Sequence, residues 1–237
     1  PVLVGSGQIT QKVENFEDAK NPIEMMHNAS LLAIQDTGVE DLKNYIDSVV
    51  TVRFIFDSGA GARPPFSIYK NPPKSLADKL GTNEAETFYG PTGGNTPQFL
   101  LNIFAERISN GQSEVVLLSG SECFSTMRKA SKNGKKTGWG DDVAGNRIDL
   151  GYEKPGGTDN EIKHGIAFPV NVYPLFETAI TVPSFSHIDL NSSSEPASLI
   201  SLFEKFVCIP DPFQSPDWGF GWIFTETSKS SATLCNK

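Results

Sequence analysis

Apolar positions in the first two-thirds of the chain switch between short unbroken runs and helical spacing, which predicts strands alternating with helices. Val2, Leu3 and Val4 read as a short buried strand that Gly5-Ser6-Gly7 then turns. Asn21-Pro22-Ile23-Glu24 is a helix start, with Asn as N-cap, Pro at the first helical position and Glu at the third. Ile23, Met26, Ser30, Ala33 and Ile34 keep the spacing of one helical face, and Gly38 stands where a helix ends. Residues 46–52 are rich in β-branched side chains and predict a second strand.

Residues 56–73, rich in Gly and Pro, read as a loop, and 75–80 as a short helix closed by Gly81. A brief strand is expected over 86–89. The segment from Pro91 to Pro97 is a tight turn into a helix, with Thr96 as N-cap and Pro97 as first residue. Phe99, Leu100, Ile103, Phe104 and Ile108 line one face of that helix, and Asn110-Gly111 ends it. Val115-Val116-Leu117-Leu118 is a central buried strand. Strands alternating with helices imply an α/β class, with βαβ units and a mixed or largely parallel sheet.

Beyond Cys123 the pattern loosens, and a boundary near residue 125 divides an α/β part, 1–124, from a second segment, 125–237. Arg128, Lys129, Lys132, Lys135 and Lys136 form a basic cluster among Ser and Gly. It reads as a solvated loop or as an attractor for an anionic ligand tail. An apolar stretch over 170–180 is helical from Pro174 onward, 181–201 is Ser-rich, and 210–224 concentrates Pro, Gly and aromatics. No internal repeat is evident.

The 237 residues suit one large domain or two small ones, and 38% hydrophobic residues suffice for a packed core. A formal charge of −8 argues against a nucleic-acid partner, whose phosphates demand clustered Lys and Arg. No apolar run approaches the ~20 residues of a membrane span, and the N-terminus lacks the basic and apolar regions of a secretory signal. Three well-separated cysteines, Cys123, Cys208 and Cys235, fit free thiols in the cytoplasm or another reducing compartment.

Several chemistries lose support at the level of motif. Gly5-Ser6-Gly7-Gln8-Ile9-Thr10 has Thr where a dinucleotide fingerprint needs its last small residue, and no phosphate-binding P-loop occurs. His27, His164 and His187 show no metal-ligand spacing, so no metal is expected. No G-x-S-x-G elbow recommends a serine nucleophile. The turn Gly93-Gly94-Asn95-Thr96 is the most informative place. Adjacent glycines let a ligand approach the backbone, and the helix head behind them favours negative charge, as on a thioester oxygen during acyl transfer. An ordinary strand-to-helix turn is the alternative.

From Tyr89-Gly90-Pro91-Thr92-Gly93-Gly94-Asn95-Thr96-Pro97-Gln98, through the 115–118 strand, to Ser119-Gly120-Ser121-Glu122, the chain resembles the N-terminal half of thiolase-superfamily proteins. The nearest likeness is to acetyl-CoA acetyltransferases close to the sterol-carrier-type thiolases. His164-Gly165, Pro169-Val170 and Tyr173-Pro174-Leu175-Phe176-Glu177 add to it, and the likeness fades after about residue 180. The resemblance implies a thiolase-like fold of two similar α/β halves with a loop domain inserted in the first. Here the C-terminal half, and the last strand of the first half, are expected to be absent. It also implies acyl-CoA or coenzyme A as substrate, in lipid metabolism, bound near Gly93, Gly94, Asn95, Thr96, Arg128 and Lys132. A homodimer or heteromer is implied, through the edge strand 86–89 or with a thiolase-like second chain.

The nucleophilic cysteine of that family falls on Gly94, which has no side chain to acylate. The catalytic residues are therefore unassigned, and two functions stand open. One is an acyl-CoA-binding acyltransferase relative that uses the Gly93–Gly94 turn as a cradle. The other is a non-catalytic scaffold or regulatory subunit of a thiolase-like complex.

Overall fold

A computed structural model describes residues 1–57, 69–152, 157–166, 171–176 and 216–226. The chain forms two compact units, Pro1–Glu153 with Pro216–Lys237, and Lys154–Ser215. The first is built on a six-stranded mixed sheet in the order β1-β6-β4-β2-β3-β5. Its strands are β1 (Val2–Gln11), β2 (Ser48–Thr51), β3 (Glu86–Tyr89), β4 (Val115–Glu122), β5 (Ile148–Asp149) and β6 (Asp217–Thr225). Strands β4, β2, β3 and β5 run parallel, whereas β6 lies antiparallel to both β1 and β4.

Helices α1 (Pro22–Asp36), α2 (Pro72–Leu80) and α4 (Phe124–Lys132) lie on one face of this sheet. Met26, Ala33, Leu76, Leu80 and Met127 meet Val49, Leu117 and Ile223 there. Helix α3 (Thr96–Ser109) covers the opposite face, where Leu100, Phe104 and Ile108 pack on Val50, Phe88, Val116 and Leu118. Adjacent residues of β2 and β4 thus divide between the two cores, as buried parallel strands require.

The cap signals form as their chemistry dictates. The Asn21 side chain accepts from the Glu24 N–H at 2.9 Å and Glu24 accepts from the Asn21 N–H at 2.9 Å. Gly38 and Gly81 take positive φ where α1 and α2 end. Helix α2 starts three residues earlier than expected, because Pro72 and Pro73 fit the first turn behind an Asn71 cap.

Four differences from the sequence expectation have a physical reason. Gly5 and Gly7 do not turn the chain but sit inside the ten-residue β1. A Cβ on either would stand 2.2 Å from a backbone oxygen of α1, Ala33 O or Ala29 O. Second, the aromatic segment before residue 225 is β6, in the interior of the sheet, so the sheet includes a strand from beyond the 124/125 boundary. Third, the start of the basic segment is the helix α4. Asp217 of β6 caps it, accepting from the Thr126 N–H at 3.2 Å and from the Thr126 hydroxyl. Fourth, β3 is not the outermost strand, since β5 pairs with it at Phe88 and Tyr89.

In the second unit, α5 (Asp159–Lys163) is closed by a Thr158–Glu161 capping box. Residues 171–176 are helical, starting before the expected Pro174. The expectations for 181–201, His187, Cys208 and Cys235 lie outside the described residues.

The close seat of α1 gives a sharp prediction. Gly7→Ala should cost about 2–3 kcal/mol in chemical denaturation, because backbone has to move to admit the methyl. Gly94→Ala, whose Cβ would meet nothing within 4 Å, should stay within about 0.5 kcal/mol of the parent.

Candidate functional site

The parallel strands β4, β2 and β3 point their C-terminal ends the same way, and ligands of open α/β sheets bind outside such ends. After β3 the chain crosses Gly90, where a Cβ would lie 2.7 Å from a Leu100 methyl, so the turn can fold tightly onto α3. Gly93 follows with φ +154°, and Asn95 Oδ1 would stand 2.8 Å from a Cβ placed there. Gly94 and Asn95 are exposed, while Thr96 is buried.

Asn95, not Thr96, is the N-cap of α3, and it makes no side-chain cap bond. The expected start is therefore one residue late. Thr96 is already helical and donates its N–H to Gly93 O at 3.1 Å. The result is an exposed, side-chain-free position at the head of a fourteen-residue helix, where the macrodipole favours negative charge.

The basic candidates are placed elsewhere. Arg128 and Lys132 lie one turn apart on α4, both exposed, on the helix that packs against β6 and residues 16–18. Two neighbours of the cluster have structural work. Lys129 donates to Val13 O, and Lys135 pairs with Glu17 at 2.9 Å while lying 5.5 Å from the Phe16 ring centroid. The structure thus gives the turn residues and the α4 cations two separate supports at the ends of β3 and β4.

Glu122, at the end of β4, was quoted in the sequence only as part of a motif, and the structure gives it its own chemistry. Strand alternation puts it on the α3 side, with Val116 and Leu118. Its Oε1 accepts from the Ile55 N–H at 2.8 Å, and its Oε2 is buried with no hydrogen-bond partner among the described residues. Burial pushes the carboxyl up to about 8, opposed only by the Ile55 bond. The acid therefore stays protonated near neutrality.

Cys123, next in the chain, is fully buried and free. Burial first, then the Asp217 and Glu122 carboxylates, push its thiol well above the ordinary range, which disfavours the nucleophilic thiolate. His27 touches only Asn28 among its described hydrogen bonds, and His164 caps the C-terminus of α5 in the other unit. Among the described residues, no group of His, Cys, Asp or Glu could hold a metal, and no helix is long and apolar enough to cross a membrane.

No family model and no curated protein matches the sequence. Solved structures do. A monomeric SCP2-thiolase-like protein type 1 from Mycobacterium smegmatis superposes with TM-score 0.57 at 19% identity, covering 99% of this chain and 46% of that one. The fold is thiolase-like. The Ltp2-ChsH2(DUF35) aldolase gives TM-score 0.53 at 16% identity, over 96% of this chain and 56% of that one. An acetyl-CoA acetyltransferase from Syntrophomonas wolfei aligns at TM-score 0.47 and 15% identity, over 96% of this chain and 64% of its own. The chain thus spans about half the length of the first two of these structures.

Glu122 makes stability depend on pH. Its folded pKa of about 8 exceeds the unfolded value of 4.5, so its contribution is complete below about 4.5 and is lost as pH rises through about 8. Glu122→Gln should match the parent at pH 4.5 and exceed it by a few kcal/mol at pH 9. Denaturant titrations at both pH values read the difference directly.

Proposed function

We propose that this chain is a thiolase-superfamily acyl-CoA-binding protein, related to acetyl-CoA acetyltransferases, in which the turn Gly93-Gly94-Asn95-Thr96 cradles the thioester of the ligand. The observation that carries the reading is the open ground at Gly94, exposed and with nothing within 4 Å of a Cβ, at the head of α3. A thioester oxygen there would sit in the positive field of the helix end, which strengthens as charge develops on it. Gly94 itself supplies no nucleophile, so the chain would bind or polarise an acyl-CoA without forming an acyl-enzyme at this position.

In this reading Arg128 and Lys132, on the exposed side of α4, attract the phosphates of coenzyme A. The partner is a thiolase-like second chain or a second copy of this one. The structural neighbours, one described as a monomeric SCP2-thiolase-like protein and another as an aldolase, support the superfamily relationship. A second reading, a non-catalytic scaffold or regulatory subunit of a thiolase-like complex, is favoured by the same Gly94, because a subunit that only positions a partner has no need of a sulfur there.

Calorimetry with acetyl-CoA decides between them. Gly94→Trp, which fills open space, should weaken acetyl-CoA binding at least tenfold while leaving the circular dichroism spectrum unchanged. Arg128→Ala with Lys132→Ala should weaken it several-fold, and the loss should shrink as salt rises. Absence of acetyl-CoA binding to the parent, alone or with its partner chain, would leave the scaffold reading. Gly94→Cys supplies an independent readout. Peptide mapping by mass spectrometry after exposure to acetyl-CoA should find acetyl on residue 94 and none on buried Cys123.

A further inference from the structure

The turn that leads to Gly94 begins at a peptide with a single polar handle. Pro91 has no N–H to donate, so the peptide joining Gly90 to Pro91 offers the Gly90 carbonyl alone. Gly90 also lacks the side chain that would restrict its own dihedrals, and its N–H is already tied to Thr51 O at 2.8 Å. The group that holds this carbonyl therefore sets the direction in which residues 91–95 leave β3. Arg53 donates to it, with Nε 3.2 Å away.

Arg53 stands two residues beyond the end of β2, and its side chain is 14% exposed. The guanidinium is fixed from other sides as well. It pairs with Asp57 at 3.8 Å on its own segment and with Asp149 of β5, and it lies 4.2 Å from the Tyr89 ring centroid. Beside it the Phe54 N–H donates to the Tyr89 hydroxyl at 3.2 Å, which ties the same segment to β3 a second time. A lysine would keep the charge. It has no planar fork that can serve the carbonyl through one N–H while its far end meets two carboxylates.

We infer that Arg53 is the positioning residue of the Gly93–Gly94 turn: it orients the Gly90–Pro91 peptide and, through it, the face that the head of α3 presents at residue 94. The inference rests on the reading of that turn as a ligand cradle, and it names the side chain outside the turn that gives the cradle its geometry.

The test reads the turn without acyl-CoA, so a failure here is distinct from a failure of acetyl-CoA binding. A thiol at residue 94 reports how the helix head faces it, because the N–H groups there favour the thiolate. Gly94→Cys is made in the full chain alone, with Arg53→Lys and with Arg53→Ala. Iodoacetamide labelling of residue 94 is then followed against pH by peptide mapping, which separates it from Cys123, Cys208 and Cys235. Arg53→Lys keeps the charge and should still label about tenfold more slowly near neutrality, yet equally fast once the thiol is fully ionised. Arg53→Ala should show the same loss, and guanidinium ion below denaturing concentration, seated between Asp57, Asp149 and the Tyr89 ring, should reverse it. A profile that Arg53→Lys leaves unchanged or moves the other way would overturn the inference, as would an equal fall at every pH. So would a loss in Arg53→Ala that guanidinium leaves uncorrected while the circular dichroism matches the parent. Should Arg53→Ala fold poorly, the Arg53→Lys profile alone decides.

Discussion

The structure depends on the close contact of α1 with bare backbone. Gly5 and Gly7 of β1 and Gly219 and Gly221 of β6 face the helix, and a Cβ on any of the four would stand 3.0 Å or less from an α1 atom. No other residue type allows this approach. It requires β1 and β6 to be neighbours, and the antiparallel β6 then joins β1 to the parallel strands through β4. Asp217 tightens the same corner, accepting from Gln11 of β1 at 3.1 Å and from Thr126 at the head of α4. The C-terminal end of β4, and with it Glu122, is held in place by this packing.

That constraint explains what the sequence could and could not disclose. Signals with a local cause were legible: the Asn21–Glu24 box, the αL glycines after α1 and α2, the four-residue β3, and the turn leading into α3. Gly5-Ser6-Gly7 was misleading because a glycine needed for close packing looks the same as one that turns the chain. β6 was hidden for a related reason. In Trp218-Gly219-Phe220-Gly221-Trp222 the large residues serve one face and the glycines the other, a period of two that resembles loop composition. Helix α4 could not be read locally, because its capping carboxylate lies 91 residues away in the chain.

The candidate site divides along the same line. The turn 93–96 was legible, as Gly-Gly before an N-terminal Pro has a clear backbone meaning, although the helix starts one residue sooner. Arg128 and Lys132 were found by charge, which says nothing about the support they stand on. Glu122 carried no local signal of its unusual acidity, because that comes from burial between β4 and the segment after β2. A neutral carboxylic acid at the end of β4 and an open helix head at the end of β3 give this end of the sheet both a hydrogen-bond donor and a positive dipole.

The most direct measurement of the central claim is amide hydrogen exchange of the whole chain with and without saturating acetyl-CoA, followed by mass spectrometry of peptides spanning 90–100. A ligand seated at the head of α3 predicts slowed exchange at residues 93–96 and at Gln98 in the first helical turn, with little change in β1. Slowing confined to other segments, or no slowing at all while acetyl-CoA is bound, would contradict the account.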